Sequence, residues 1–445
     1  MPQLRKLCLG LAAVTFLVLL VGLFFNQSNF WQPAAVIAAV GLAIGLGAVP
    51  SLKGYQFTAW IAAAVVAAMI YPSGFQRWGS FDLRNKWLIL LVVQMVMFGM
   101  GTQMSLRDFA GIVKTPRGVL VGIICHFTVM PFVGLALTKI FHFEPEIAAG
   151  IILIGSCSSG LASNVMAYIA KSNLVLSVTV TAITTMVAPL MTPLLMKLLA
   201  GTMVEVKFFN MMMEIIKIVL VPIGAALLHD YLKTATLRGR RVTMVIGFLS
   251  ALWLLALPLG SWSWFAAHVD LEPLHWIGAF GFFLAAVVFG LVYHTATRLI
   301  PKLDQWTPLA SMFGIVYFTT VTTAAGRDNL LKIGGLLFLA AAIHNAAGYF
   351  FGYWLSRGAG LDKNSARSVA FEVGLQNGGM ASGLAGGMGK LATVGLAAAI
   401  FSPWMNISGS ILANYWRRKP ADDSTTPPSD SLPKPVAEPH SSPVR

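Results

Sequence analysis

The chain is short of charge. Of its 445 residues, 57% are hydrophobic and only 11% are Asp, Glu, Lys or Arg, where an average soluble domain carries about 25% charge. An ordinary water-soluble globule is therefore excluded. Acids are the scarcer sign, 17 against 31 Lys and Arg, which leaves a formal charge of +14. In a soluble protein that excess would suggest nucleic acid, but these basic residues sit in short clusters between apolar runs, as the positive-inside rule expects. Nucleic acid is accordingly not read as a partner. Cysteine is nearly missing too: Cys8, Cys125 and Cys157 all fall inside apolar segments without paired or metal-ligand spacing, so neither a disulfide framework nor a zinc site is indicated. An HExxH motif and paired intramembrane aspartates are also lacking, which removes two common bases for an intramembrane enzyme.

What the chain does have is length of hydrocarbon. Hydrophobic runs lie near residues 8–25, 33–50, 57–72, 86–103, 118–141, 145–169, 173–200, 206–229, 243–266, 274–297, 306–324, 333–356, 367–388 and 391–416, about fourteen in all. A membrane helix needs about 20 apolar residues, so the fold class is an all-α polytopic membrane protein with the lipid bilayer as its surroundings. Loop charges set an orientation. Starting with Arg5 and Lys6 inside, alternation puts Lys53, Arg107/Lys114/Arg117, Lys171, Lys233/Arg238/Arg240/Arg241, Arg298/Lys302, Lys363/Arg367 and Arg417/Arg418/Lys419 inside as well. Both termini are then cytoplasmic, in an inner or plasma membrane. The loop with Arg77, Arg84 and Lys86 is the clearest exception, and Arg327 with Lys332 a weaker one. A basic stretch before an apolar run also describes a signal peptide, but Leu9 to Phe25 is long for one, and Phe24, Phe25 and Asn26 offer no small-residue cleavage site. It reads as a retained helix. Residues 420–445, rich in Pro, Ser and Asp, read as a disordered cytoplasmic tail.

Two spans are interrupted. One holds Gly155-Ser156-Cys157-Ser158-Ser159-Gly160-Leu161-Ala162-Ser163-Asn164, the other Phe371-Glu372-Val373-Gly374-Leu375-Gln376-Asn377-Gly378-Gly379. Backbone unwinds at membrane depth only where protein or an aqueous cavity satisfies its polar groups, and paired broken helices point to a transporter's midplane site. Close packing of small residues is the alternative for the first stretch. It does not account for Glu372, since an ionisable group inside a span costs at least about 2.5 kcal/mol and marks a functional site by default.

On these residues the chain resembles the bile acid:sodium symporter family, transporters of organic anions. Phe98-Gly99-Met100-Gly101 with Arg107-Asp108-Phe109, Met130-Pro131, Gly160 to Asn164 followed by Ser177 and Thr181, Glu372 to Asn377, and Asn406-Ile407-Ser408-Gly409-Ser410 are similarly placed. The resemblance implies two inverted five-helix repeats with a broken, crossing fourth helix in each. Residues 57–233 would hold the first repeat, broken over 145–169, and 304–419 the second, broken over 367–388. Four further helices, a pair in 1–56 and an inserted pair in 234–303, would be additions without an assigned role.

The resemblance further implies a secondary active transporter rather than an enzyme, one that moves a small or amphipathic organic anion by alternating access and is driven by sodium. Proton or mixed coupling is the alternative, and an intramembrane enzyme using Ser159, His126 and His344 a remote one. One sodium site would use Ser163, Asn164, Ser177, Thr181 and Glu372; Ser177 and Thr181, four apart, share a helical face. A second would use Glu372, Gln376 and the carbonyls of Val373 and Leu375, with His126 standing where the family usually has Gln. Imidazole nitrogen is a softer ligand than amide oxygen, which puts that second site in question, and His126 could instead titrate near neutral pH or simply be a hydrogen-bonded buried histidine. His344 reads as structural. Substrate would meet Ser159, Gly160, Asn377 and Asn406. Ser158-Ser159 stand where Pro-Gly is common, and Leu161 where Thr is common, so substrate identity does not transfer.

Overall fold

A computed structural model describes residues 2–49, 52, 55–419 and 421. Lys53 and nearly all of the expected tail lie outside them. Among the described residues the chain is mainly helical, with one small hairpin. In order the helices are α1 (Pro2–Phe24), α2 (Ser28–Gly45), α3 (Gln56–Ile70), α4 (Lys86–Gly101), α5 (Pro116–Phe141), α6 (Pro145–Ser156), α7 (Ala162–Ile169) and α8 (Leu174–Ala200). There follow α9 (Phe208–Thr234) and α10 (Leu237–His268), then α11 (Leu271–Leu299), α12 (Leu303–Ala325), α13 (Arg327–Gly358), α14 (Lys363–Gly374), α15 (Gly378–Gly387) and α16 (Val394–Arg417).

Each hydrophobic run coincides with a helix or a pair of them. Among the described residues ten helices are long and apolar enough to cross a membrane unaided. The other four runs are α3, α4 and the two broken pairs α6/α7 and α14/α15. At 15 residues, α3 spans about 22 Å against an apolar thickness of about 30 Å, so it reaches across only with its flanking turns.

The helices sort by packing into two groups. In one, α5 packs on α6, α8, α13 and α14, and α16 on α6 and α13. In the other, α12 packs on α3 and α4, and α4 on α9. The additional helices join only the second group: α1 lies on α2, α2 on α3, and α11 on α9 with α10 outside it. Small residues permit these contacts, as lipid-embedded helices require. A Cβ on Gly45 would stand 2.9 Å from the Leu9 amide, and one on Gly290 of α11 would stand 2.7 Å from the Ala225 carbonyl of α9. A separate apolar cluster, with Phe98 of α4, Met213 and Ala226 of α9, and Ala286 and Tyr293 of α11, seals that seam.

At the basic end of this seam sits a polar network. Asp304 Oδ1 accepts from the Tyr293 hydroxyl at 3.0 Å and lies 3.2 Å from His229 Nε2, while its Oδ2 is 3.0 Å from Lys233 Nζ. His294 Nδ1 lies 3.2 Å from His229 Nδ1, so one ring donates and the other accepts. Outside the spans, the hairpin of β1 (Arg77–Trp78) and β2 (Phe81–Asp82) carries the exceptional charges. Both Arg84 contacts to the Asp82 carboxylate measure 3.1 Å, and this guanidinium holds the Asp82 carboxyl down at about 2.

Asp304 is the shared acceptor of three side chains from α9 and α11. Asp304→Ala should lower the unfolding free energy by about 2 kcal/mol, read as a lower midpoint of thermal unfolding in detergent; an unchanged midpoint would mean that apolar packing alone holds the inserted pair.

Candidate functional site

Both interruptions are set by local sequence. After Ser156 the backbone turns extended at Cys157 (φ −73, ψ 168), and after Gly374 it does so at Leu375 (φ −108, ψ 103). Asn377 then restarts a helix by accepting from the Met380 amide at 3.0 Å. The two breaks satisfy one another. Gly160 N donates to the Leu375 carbonyl and Asn377 N to the Ser158 carbonyl, both at 2.9 Å, so Ser159 and Gln376 form an antiparallel bridge. This is how polar backbone survives at membrane depth. Asn345 of α13, which sequence reasoning passes over, adds a bond from Nδ2 to the freed Gly374 carbonyl at 2.8 Å.

The bridge brings Glu372 against α7 and α8. Glu372 is fully buried. The Ser177 hydroxyl donates to Glu372 Oε1 at 2.5 Å and the Thr181 hydroxyl to Oε2 at 2.7 Å. The same hydroxyls lie 3.0 and 3.2 Å from Asn164 Oδ1, and Ser163 Oγ lies 3.2 Å from Thr181 Oγ1. All five residues of the first expected shell thus meet. Ser177 and Thr181 have one proton each but two acceptors within reach, so the cluster holds more lone pairs than protons. One carboxylate among neutral oxygens fits a hard monovalent cation. Among the described residues no group of three or more His, Cys, Asp or Glu could hold a metal ion.

The second expected shell is differently disposed. His126 is fully buried, with Nδ1 2.9 Å from the Glu372 carbonyl and Nε2 2.8 Å from the Cys157 carbonyl. It therefore links the two broken helices instead of facing a cavity. The Gln376 amide donates to the Val373 carbonyl at 2.7 Å, and the Leu375 carbonyl already accepts from Gly160 and from the Ser159 hydroxyl at 3.3 Å. The carbonyls on which a second ion would draw are engaged; Gln376 Oε1 is buried with no hydrogen-bond partner. His344 bonds the Met130 carbonyl at 2.7 Å, tying α13 to α5. Neither imidazole is hydrogen-bonded to Ser159, whose hydroxyl turns to Ser163 at 3.4 Å.

Three of the four expected substrate residues, Gly160, Asn377 and Asn406, line a cavity of about 410 Å³ between the two helix groups. Ser159 is wholly buried, on the Glu372 side of the bridge. The opposite wall comes from Tyr55, Gln103, Ser311 and Met312, which sequence reasoning does not select; Gln103 lies just past the Phe98 to Gly101 motif and could have been found there. Among the described residues no Lys or Arg lines this cavity. Positive potential comes instead from the N-termini of α7 and α15, which begin at its wall.

Gly160 is confined by this arrangement, since a Cβ there would stand 2.7 Å from the Gln376 carbonyl. Gly160→Val should force the breaks apart and destabilise the protein by about 1–3 kcal/mol. Thermal unfolding in detergent measures this, and wild-type stability would show that the bridge yields easily.

Comparison with known proteins agrees with this architecture. The model of the sodium bile acid symporter family matches residues 90–263. An uncharacterized sodium-dependent transporter of Bacillus subtilis is 32% identical over 82% of this chain and 92% of its own length. A probable sodium/metabolite cotransporter of Arabidopsis thaliana chloroplasts is 26% identical over 81% of this chain and 73% of its own. The human ileal sodium/bile acid cotransporter is 27% identical over 65% of this chain and 66% of its own. With its broken helices paired around a buried carboxylate, the chain belongs to the sodium bile acid symporter family and is a multi-pass membrane transporter.

Proposed function

We propose that the protein is a sodium-driven symporter of an organic anion and works by alternating access. One observation carries this reading: the fully buried carboxylate of Glu372 is met by the hydroxyls of Ser177 and Thr181 at 2.5 and 2.7 Å, at the junction of two broken helices. Burying a lone carboxylate is costly unless its charge is neutralised, and a bound cation does this while tying α14 to α7 and α8. The neighbouring cavity supports an anionic substrate. Two half-helix N-termini meet a charged head, and Met100, Met166, Ile169, Met312 and Met405 in the wall suit an apolar body.

The ion cluster belongs to one helix group, and the cavity lies between both. Relative motion of the groups would expose the cavity to each side in turn. Its wall reaches Tyr55, Gln103 and Ile169, at helix ends that the charge pattern assigns to the cytoplasm, so we read this state as inward-facing with both termini inside. We also infer a shifted repeat boundary. Residues 57–233 contain six spans and 304–419 four, whereas two repeats of five, each broken at its fourth span, put α9 at the start of the second. The inserted pair then falls within the second repeat.

Glu372→Gln should abolish sodium-driven uptake in proteoliposomes offered a panel of carboxylates and sulfated steroids, with the protein still folded. Alanine at Ser163, Asn164, Ser177 or Thr181 should raise the sodium concentration for half-maximal uptake. Unaltered sodium-driven accumulation by all five variants would sink the reading.

Both ring nitrogens of His126 are turned to the Glu372 and Cys157 carbonyls, which leaves no side-chain ligand at that position for a second sodium, so uptake should follow sodium with a Hill coefficient near one. His126→Gln, which restores the family's usual residue, should steepen that dependence, as expected when two bound ions cooperate. Identical sodium curves for variant and wild type would make the imidazole a purely structural link.

A further inference from the structure

The ion cluster is walled off from the substrate cavity: none of Ser163, Asn164, Ser177, Thr181 and Glu372 lines it. Asn164 and Thr181 do line a second cavity of about 300 Å³, together with Val178, Arg107, Asp108 and Lys114. The first two are ligand candidates, since Thr181 Oγ1 lies 2.7 Å from Glu372 Oε2. Asn164 is only half-buried, and Arg107 and Lys114 are exposed, so water reaches the cluster's edge from this side. The floor of the cavity is held in place. The Thr179 hydroxyl donates to the Asp108 carbonyl at 2.6 Å, and a Cβ on Gly111 would collide with Thr179 Oγ1 at 1.9 Å. Only Gln103, Leu161 and Val165 are common to both cavities, and the two aliphatic side chains make the partition unattractive to an ion.

We propose that sodium leaves by a passage of its own, past Thr181, Asn164 and Val178 toward Arg107 and Lys114, separate from the passage of the organic anion. This rests on the sodium reading above and adds a route to it. Release needs neither departure of the substrate nor disassembly of the bridge, because only the side chains on the Asn164 and Thr181 side must move aside to let the ion out. Two cationic side chains against one acid at the mouth lower the local sodium concentration there and slow passage of the ion in both directions.

The test uses sodium alone as ligand and the full-length chain in detergent. Val178→Cys and Met312→Cys, the latter lining only the substrate cavity, are made with Cys8→Ser; Cys125 and Cys157 are buried. Each is modified with a bulky charged thiol reagent, and radiolabelled sodium is chased with unlabelled sodium chloride. Modification at 178 should slow release at least tenfold and modification at 312 less than twofold. Equal slowing at both positions, slowing at 312 only, or no slowing at either would overturn the separate passage. Failure of the unmodified protein to bind sodium would instead remove the underlying sodium reading, and it is measured first.

Discussion

Two amide-to-carbonyl hydrogen bonds, Gly160 to Leu375 and Asn377 to Ser158, support the rest of the site. A helix satisfies its own backbone, and a chain that stops being helical inside hydrocarbon must find partners at once or lose several kcal/mol per exposed group. Here the partners are supplied reciprocally by segments more than two hundred residues apart. Once they pair, the position of Glu372 follows, as do the approach of α7 and α8 to it and the start of two helices at a common cavity wall. His126, whose ring lies between the Cys157 and Glu372 carbonyls, and Asn345, which donates to the Gly374 carbonyl, reinforce the same junction from outside. They hold the unwound segments by their main chain, leaving side chains free for chemistry.

In the function proposed above, this economy would separate the two kinds of binding. Hydroxyls and the carboxylate gather on one side of the bridge, where Ser159 also turns, and backbone amides with apolar walls gather on the other. The ion cluster lies inside a single packed body of helices, whereas the larger cavity needs both bodies to exist. A site that belongs to one body keeps its geometry when the bodies shift; a site shared between them does not.

Much of this was legible in the chain. The fourteen apolar runs correspond to helices because lipid forces intrasegment hydrogen bonding, and the shell around Glu372 could be named from the resemblance of its motifs to the family's, with which the one-turn spacing of Ser177 and Thr181 agrees. What stayed hidden depends on partners remote in sequence. Nothing local distinguishes Ser159 from Gly160, although one faces inward and the other lines a cavity, since that is decided by the register of the bridge with Gln376. His126 reads as a candidate ligand until the Cys157 and Glu372 carbonyls are seen to flank it. Asn345 gave no signal beside the more conspicuous His344.

The four additional helices attach to one body only, through α2 on α3 and α11 on α9. Their outward faces are largely apolar; Phe16, Leu17, Phe248, Leu255 and Phe283 are all exposed, which in a bilayer means contact with acyl chains. When two bodies move relative to each other in a viscous medium, displacement divides between them inversely to the drag on each. Under the alternating access proposed above, loading one body with four lipid-immersed helices would turn it toward a stator. The stroke would then pass to the lighter partner, which carries the buried carboxylate.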